Sequence, residues 1–229
     1  MKLKVFLHIA LRYAKDALSA HAFAKAGGAQ ERFPHHIDLA QPFTPSATLE
    51  AKKHNLRLAA ERIERVTIMP GEVFSFWRVV GNPNTKQFCA SRSIVAGKLK
   101  LEQGGGLCQA SGIMYHLALM AGLDIIERFA HSVDLYTEQT RFCPLGSDAT
   151  VAYGYRDLRF RNSTPSPIRF EFSVLDHSYA CRLTSQQPIE PREIRFSAST
   201  LPDGRKRAIA TDASTGEAIS TDVYETLGQ

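Results

Sequence analysis

The stretch Gly104-Gly105-Gly106-Leu107-Cys108-Gln109-Ala110-Ser111-Gly112-Ile113-Met114-Tyr115-His116-Leu117-Ala118-Leu119-Met120-Ala121-Gly122 reads as a glycine loop opening into a helix. Ala110, Ile113, Met114, Leu117 and Met120 recur at helical intervals and Gly122 supplies a stop, so a helix is expected from about Cys108 to Ala121. The glycines permit backbone conformations closed to other residues and deliver Cys108 to the first helical turn, where unpaired N–H groups and the peptide dipoles favour negative charge. A free cysteine titrates near ~8.5, and a helix N-terminus beside an imidazolium lowers that by several units. Cys108 is therefore the candidate nucleophile. Its own backbone N–H is a candidate oxyanion donor, with Gln103 or Gln109 as the second. Gly104, Gly105, Gly106, Ser111 and the single tryptophan, Trp77, are candidates for contacting a substrate.

Downstream, Ile125 to Tyr136 reads as strand and carries His131, the candidate base. Asp148, in Gly146-Ser147-Asp148-Ala149-Thr150-Val151, is the candidate acceptor for the second imidazole N–H. Asp134 faces the opposite side of an ideal strand from His131 and suits that role less well. His116 sits about two helical turns beyond Cys108, roughly 12 Å along the axis, and reads as a structural or surface histidine. Glu127-Arg128 reads as a solvated or locally paired strand edge. Ala149–Tyr155 and Leu158–Phe160 suggest further short strands. Between Pro167 and Leu175, Ile168, Phe170, Phe172 and Val174 alternate with Arg169, Glu171 and Ser173, the pattern of a half-buried antiparallel strand. Asp176-His177-Ser178, Asp203-Gly204 and Ser214-Thr215-Gly216 mark turns of a β-rich tail.

Upstream, Val5–Ala26 carries a helical apolar face ending at Gly27-Gly28, while residues 29–47, with Pro34, Pro42 and Pro45, read as an irregular linker. Leu49, Leu56, Ala59 and Ile63 define a second helix, followed by β signals at Val66–Met69 and Val73–Phe76 around a Pro70-Gly71 turn. The expected class is α+β: N-terminal helices, a central helix opened by Cys108 and packed on an antiparallel sheet, and a β-rich tail. The expected divisions are residues 1–45 (helix and linker), 46–185 (core) and 186–229 (C-terminal β-hairpin extension).

The 229 residues carry 28 basic and 23 acidic side chains, a net charge of +5. The two signs are interleaved, and no RNP-like aromatic motif, zinc-finger spacing or long basic block is present, so nucleic acid is not an expected partner. No Cys-x-x-Cys pair occurs; Cys89, Cys143 and Cys181 read as small buried residues, and neither a metal nor a cofactor is expected. No run approaches the ~18 apolar residues of a membrane span. His8 and Arg12-Tyr13 interrupt the N-terminal apolar stretch, a poor signal peptide, so a cytoplasmic protein is expected, with export or envelope association as the alternative.

Several segments together resemble the VanW family, named from vancomycin-resistance gene clusters. They are Met69-Pro70-Gly71-Glu72-Val73-Phe74-Ser75-Phe76, Val80-Gly81, Gly104 through Ser111, Gly122-Leu123, Glu127-Arg128, His131-Ser132, Asp148-Ala149-Thr150-Val151, and Asp157-Leu158 with Asn162. Trp77 departs from the Asn expected after that Phe-Ser-Phe run. The resemblance implies a bacterial protein connected with the cell wall or glycopeptide response and supplies no reaction. The order Cys, His, Asp also resembles transglutaminase-like and papain-like cores, where a cysteine opens a helix and the other two project from later strands. On the residues themselves, a thiolate with a histidine and an oxyanion hole suits acyl transfer on a peptide or peptidoglycan-like substrate. The competing reading is a non-catalytic envelope- or peptide-binding module in which Cys108 is structural.

Overall fold

The computed structural model describes residues 3–27, 32–95, 98–134, 136 and 141–226. Met1, Lys2, Gly28, residues 29–31 and Leu135, read above as N-terminus, helix stop, linker and strand, lie outside these. The fold is α+β, with elements in the order α1 (Leu3–Leu18), β1 (His35–Pro42), α2 (Leu49–Ile63), β2 (Val73–Ser75), α3 (Phe76–Val80), β3 (Ala90–Val95), β4 (Lys98–Gln103), α4 (Leu107–Met120), β5 (Asp124–Glu127), β6 (Val133–Asp134), β7 (Arg159–Arg161), β8 (Ile168–Val174), β9 (Ser178–Ser185), β10 (Ile194–Thr200), β11 (Lys206–Asp212) and β12 (Ala218–Thr226). No helix among the described residues is long and apolar enough to cross a membrane.

Helix α4 lies at the centre. Leu107, Ala110, Ile113, Met114, Tyr115, Leu117, Ala118 and Leu119 are all buried, so it is apolar on nearly every side, as a helix surrounded by other elements must be. It packs on α2, β1 and β9. The antiparallel sheet β1-β9-β8 continues the core through Phe170, Tyr179 and Leu183, and Phe74 and Phe160 stack at 5.0 Å beside it. The strand expected there, β8, forms a ladder running from Ile168↔Ser185 to Val174↔Tyr179, but Arg169, expected on its open face, is buried and donates to the Glu64 carbonyl.

Four expectations are corrected. Residues 35–42 form β1 rather than linker, pairing with β9 from His35↔Ser185 to Pro42↔Ser178. The prolines misled because Pro34 precedes an edge strand and Pro42 ends it, positions where a missing N–H breaks no ladder. Helix α1 ends at Leu18 rather than Ala26; beyond it the chain is extended, and tertiary bridges from Phe23 to Val73 and from Ala26 to Val66 override alanine's helical preference. The strand expected over Ile125–Tyr136 is split into β5 and β6, leaving 128–132 as irregular chain. The stretch 149–155 holds an isolated Ala152↔Arg156 bridge instead of a strand.

The C-terminal strands turn where the Gly-containing turns placed them, in a sheet of order β10-β11-β12-β6. Strand β12 runs parallel to β6, with Glu225 opposite Val133 and Thr226 opposite Asp134. The tail is thereby hydrogen-bonded to the segment that follows His131, and the Glu225 N–H donates to the Ser132 carbonyl at 2.9 Å.

Candidate functional site

Helix α4 begins from Gly106 in a left-handed conformation, φ 97° and ψ −15°. Gly105 is required for a different reason: a Cβ there would lie 2.3 Å from the Ser91 carbonyl oxygen of β3. The loop therefore presses its backbone against the β3–β4 hairpin, a hairpin the sequence pattern did not reveal, and aims the start of α4 into a groove of about 480 Å³. The Leu107 and Gln109 N–H groups close on the Gly104 and Gly106 carbonyls, whereas among the described backbone contacts none takes the Cys108 N–H.

Cys108, half-buried, faces this groove, with its Sγ 3.6 Å from Thr150 Oγ1 and 3.8 Å from the Val151 carbonyl. His131 Nδ1 meets Asp148 Oδ2 at 2.6 Å, and the His131 backbone N–H donates to the same oxygen at 2.8 Å. With Nδ1 engaged, Nε2 is the ring nitrogen left to face the sulfur, and the thiol and imidazole are near enough for each to shift the other's ionisation. Asp148 Oδ1 accepts from the Tyr224 hydroxyl at 2.6 Å and from Arg128 at 3.4 Å. Cys108, His131 and Asp148 thus converge from α4, the irregular chain after β5, and the loop after Cys143.

The charges follow from the contacts. Burial pushes the Cys108 thiol up, but the hydrogen bond and positive charge of His131 outweigh it, and the thiol sits below its ordinary value. Burial disfavours a charged His131, yet Asp148 and Cys108 hold the ring at about 10. Asp148 is raised by burial and lowered more by His131, Arg128 and Tyr224, settling at about 2. Cys108, His131 and Asp148 thus form a coupled relay in which the neighbours of each group favour its charged form. Arg128, expected at a solvated or locally paired strand edge, is a buried anchor with sequence-distant partners: its guanidinium donates to the Asp148 and Gly146 carbonyls at 2.7 and 3.0 Å and pairs with Asp222. His116 packs edge-on to Phe196 at 5.0 Å and is held near 4 by burial, away from the thiol.

Of the other residues singled out above, Gly106 and Gln109 line the groove. Gln109 is 8% exposed, and neither of its amide atoms has a partner among the described residues. Gln103 is directed elsewhere, its amide donating to the Thr85 carbonyl at 3.1 Å and to that of Phe88. Ser111 is buried and donates to the Ala149 carbonyl at 2.6 Å, bracing α4 against the strip that holds Asp148 and Thr150. Gly104 packs on Pro83. Trp77 borders a separate small pocket with Tyr13 and Tyr153, its indole N–H donating to the Arg156 carbonyl at 2.8 Å. Of the three cysteines read as buried, only Cys181 is; Cys89 is exposed and Cys143 lies on the groove wall.

Sequence reasoning missed Thr150, Tyr224, Lys52 and Gln41. Thr150 was within reach as the second residue after Asp148, but Tyr224, Lys52 and Gln41 carry no local signal, since only β12, α2 and β1 docking brings them to the groove. Among the described residues no group of three or more His, Cys, Asp or Glu side chains could hold a metal ion.

These features define an α+β protein whose central helix presents a thiol to a histidine and an aspartate at an open groove. The chain belongs to the VanW family: the family model described as VanW like protein matches residues 51–184, more than half of it. It is 34% identical over 156 residues to the Uncharacterized protein YoaR of Bacillus subtilis (strain 168), covering 67% of this chain and 50% of that protein. It is 38% identical over 116 residues to the Vancomycin B-type resistance protein VanW of Enterococcus faecalis (strain ATCC 700802 / V583), covering 50% of this chain and 42% of that protein. The chain spans about half the length, or less, of these curated relatives. No solved structure gives a significant match.

The residues on which the resemblance to the family rests divide into two physical groups. Glu72 accepts from the Met69 N–H, Asp157 accepts from the Ser75 hydroxyl and the Trp77 N–H at the start of α3, and Asn162, fully buried, donates to the Ile68 and Ser166 carbonyls. Those residues tie loops to the scaffold. Cys108, His131 and Asp148 instead meet at the groove.

Proposed function

We propose that the chain is a thiol-dependent acyl-transfer enzyme, an amide hydrolase or transpeptidase, acting on a peptide such as a peptidoglycan stem. The name of the enterococcal relative, a vancomycin B-type resistance protein, supports placing that chemistry in the cell envelope or glycopeptide response. The observation that carries the reading is the relay: an Asp148–His131 contact of 2.6 Å behind a thiol already below its ordinary value at a helix N-terminus.

In this reading the Cys108 thiolate attacks the amide carbonyl carbon, forming a C–S bond, while the carbonyl oxygen gathers negative charge opposite the Cys108 N–H and the Gln109 amide. Collapse breaks the C–N bond, and the departing amine takes its proton from His131, leaving a thioester. Water or a second amine then attacks the thioester, giving up a proton to His131. Release of the new acid or amide restores the thiolate and imidazolium. Asp148 keeps the ring oriented through both halves, and Arg128 and Tyr224 keep Asp148 in place.

The test is covalent trapping. Incubated with stem peptides from a peptidoglycan digest and quenched in acid, the wild-type protein should gain the mass of an acyl group on Cys108, and hydroxylamine should remove it. Cys108→Ser should not form that adduct. A wild-type protein that stays unmodified, with Cys108 alkylated by iodoacetamide no faster than an ordinary thiol titrating near ~8.5, would sink the catalytic reading and favour a binding module.

A further inference from the structure

Two cations on the groove wall, Lys52 and the exposed Arg92, take no part in the relay, and Lys52 is the less exposed of them. Lys52, on the second turn of α2, lines the same groove as Cys108. Its stem lies across the start of α4, so close that a Cβ on Gly106 would come within 2.5 Å of its Cγ and 3.4 Å of its Cε. The third glycine of the loop thus makes room for the lysine as well as for the turn. The neighbouring Lys53 pairs with Glu50 at 2.9 Å, and Arg141, which lines the same groove, pairs with Asp134 at 2.7 Å. Lys52 has no such partner among the described residues; its ammonium sits 5.6 Å from the centre of the Phe43 ring. Half-buried and unpaired, it is held at about 8, pushed down by burial and up by the Cys108 charge. A half-buried ammonium with no carboxylate partner among the described residues, drawn only toward the Cys108 sulfur, leaves room for an incoming anion.

Two further groups describe the rest of that ligand. Gln109 on α4 and Gln41 on β1 line the groove and are 8% and 7% exposed. Both amide atoms of Gln109 and the carbonyl oxygen of Gln41 lack hydrogen-bond partners among the described residues. Buried amides in want of a donor and an acceptor suit a peptide group, which offers one of each.

Resting on the acyl-transfer reading, we infer that the groove selects a peptide bearing a free carboxylate close to the bond under attack, with Lys52 as the carboxylate-recognising residue and Gln41 and Gln109 engaging the adjacent amide. Neutral or cationic residues at that position of the substrate are then disfavoured, because they leave the ammonium unpaired. Lys52 is a specificity residue here and takes no part in bond making.

Two alkylating agents that differ in little but a carboxylate provide the first test. Iodoacetate and iodoacetamide both form an S–C bond to Cys108 with loss of iodide, so any effect of Lys52 on the thiol's own ionisation cancels in their rate ratio. The iodoacetate-to-iodoacetamide ratio should fall about tenfold in Lys52→Met, as expected for losing one charge at close range in a partly buried site, and be retained in Lys52→Arg. Methionine keeps the stem that covers Gly106, so folding is not at issue. A ratio unchanged in Lys52→Met overturns the proposal.

The second test needs no reactive sulfur. In Cys108→Ala protein, N-acetylalanine should shift the Gly106 and Gln109 amide resonances, N-acetylalanine amide and inorganic phosphate should do so at least tenfold more weakly, and adding Lys52→Met should abolish the difference. Equal shifts from acid and amide refute carboxylate recognition, and equal shifts from phosphate reduce the site to a general anion cradle, which refutes the peptide assignment. Should Cys108 prove unreactive while the acid-selective shifts remain, the acyl-transfer reading fails and carboxylate recognition stands.

Discussion

Asp148→Asn bears most directly on the relay. The substitution keeps shape and size but removes the charge that meets His131 Nδ1 at 2.6 Å. His131 is raised from 6.5 to about 10, which corresponds to roughly 5 kcal/mol of preference for the protonated ring. Asp148 and Cys108 share that preference; burial opposes them. If the carboxylate supplies about half, its loss withdraws roughly 2–3 kcal/mol, so the thiolate loses much of its counterion near neutral pH. The inflection of Cys108 alkylation by iodoacetamide, followed by intact mass over a pH series, should move upward by about one to two pH units. At pH near 6 the rate should drop about tenfold or more. Because asparagine can hold the imidazole in the wrong tautomer, turnover should fall further, by about 10²–10⁴. An alkylation profile superimposable on that of the wild type would refute the claim that the Asp148–His131 contact sets the charge on the sulfur.

The same variant makes a prediction for stability against pH. His131, raised when folded, contributes fully below its unfolded value of 6.5 and loses its contribution as pH rises through about 10; Asp148, lowered when folded, contributes above 3.8 and loses its contribution as pH falls through about 2. Wild type should therefore exceed Asp148→Asn in melting temperature most between pH 3.8 and 6.5, with the gap narrowing on either side. Calorimetry from acid to alkaline pH checks this, and a gap independent of pH contradicts it. Gly105→Ala meets the Ser91 backbone rather than a flexible side chain, and should destabilise by about 2–3 kcal/mol, lowering the melting temperature by roughly 4–12 °C. A melting temperature within a degree of wild type would show that the loop can move off β3.

Read alone, the chain of residues determined the features whose physics is local. Helical recurrence of Leu117, Ile113 and their neighbours set α4, strict alternation over Ile168–Val174 set β8, and turn residues at Asp203-Gly204 and Ser214-Thr215-Gly216 set the C-terminal meander. The glycine run before Cys108 was visible for the same reason, since a helix N-terminus is assembled within a few residues. Tertiary structure alone decided what depends on distant partners. Pairing with β9 makes a strand of residues 35–42 despite their prolines, and a buried guanidinium network forms where Arg128 had looked like a solvated or locally paired strand edge. Which side chains surround the sulfur was settled likewise: Tyr224 arrives on β12, Lys52 on α2 and Gln41 on β1, and no periodicity along one segment encodes the register at which another segment docks against it.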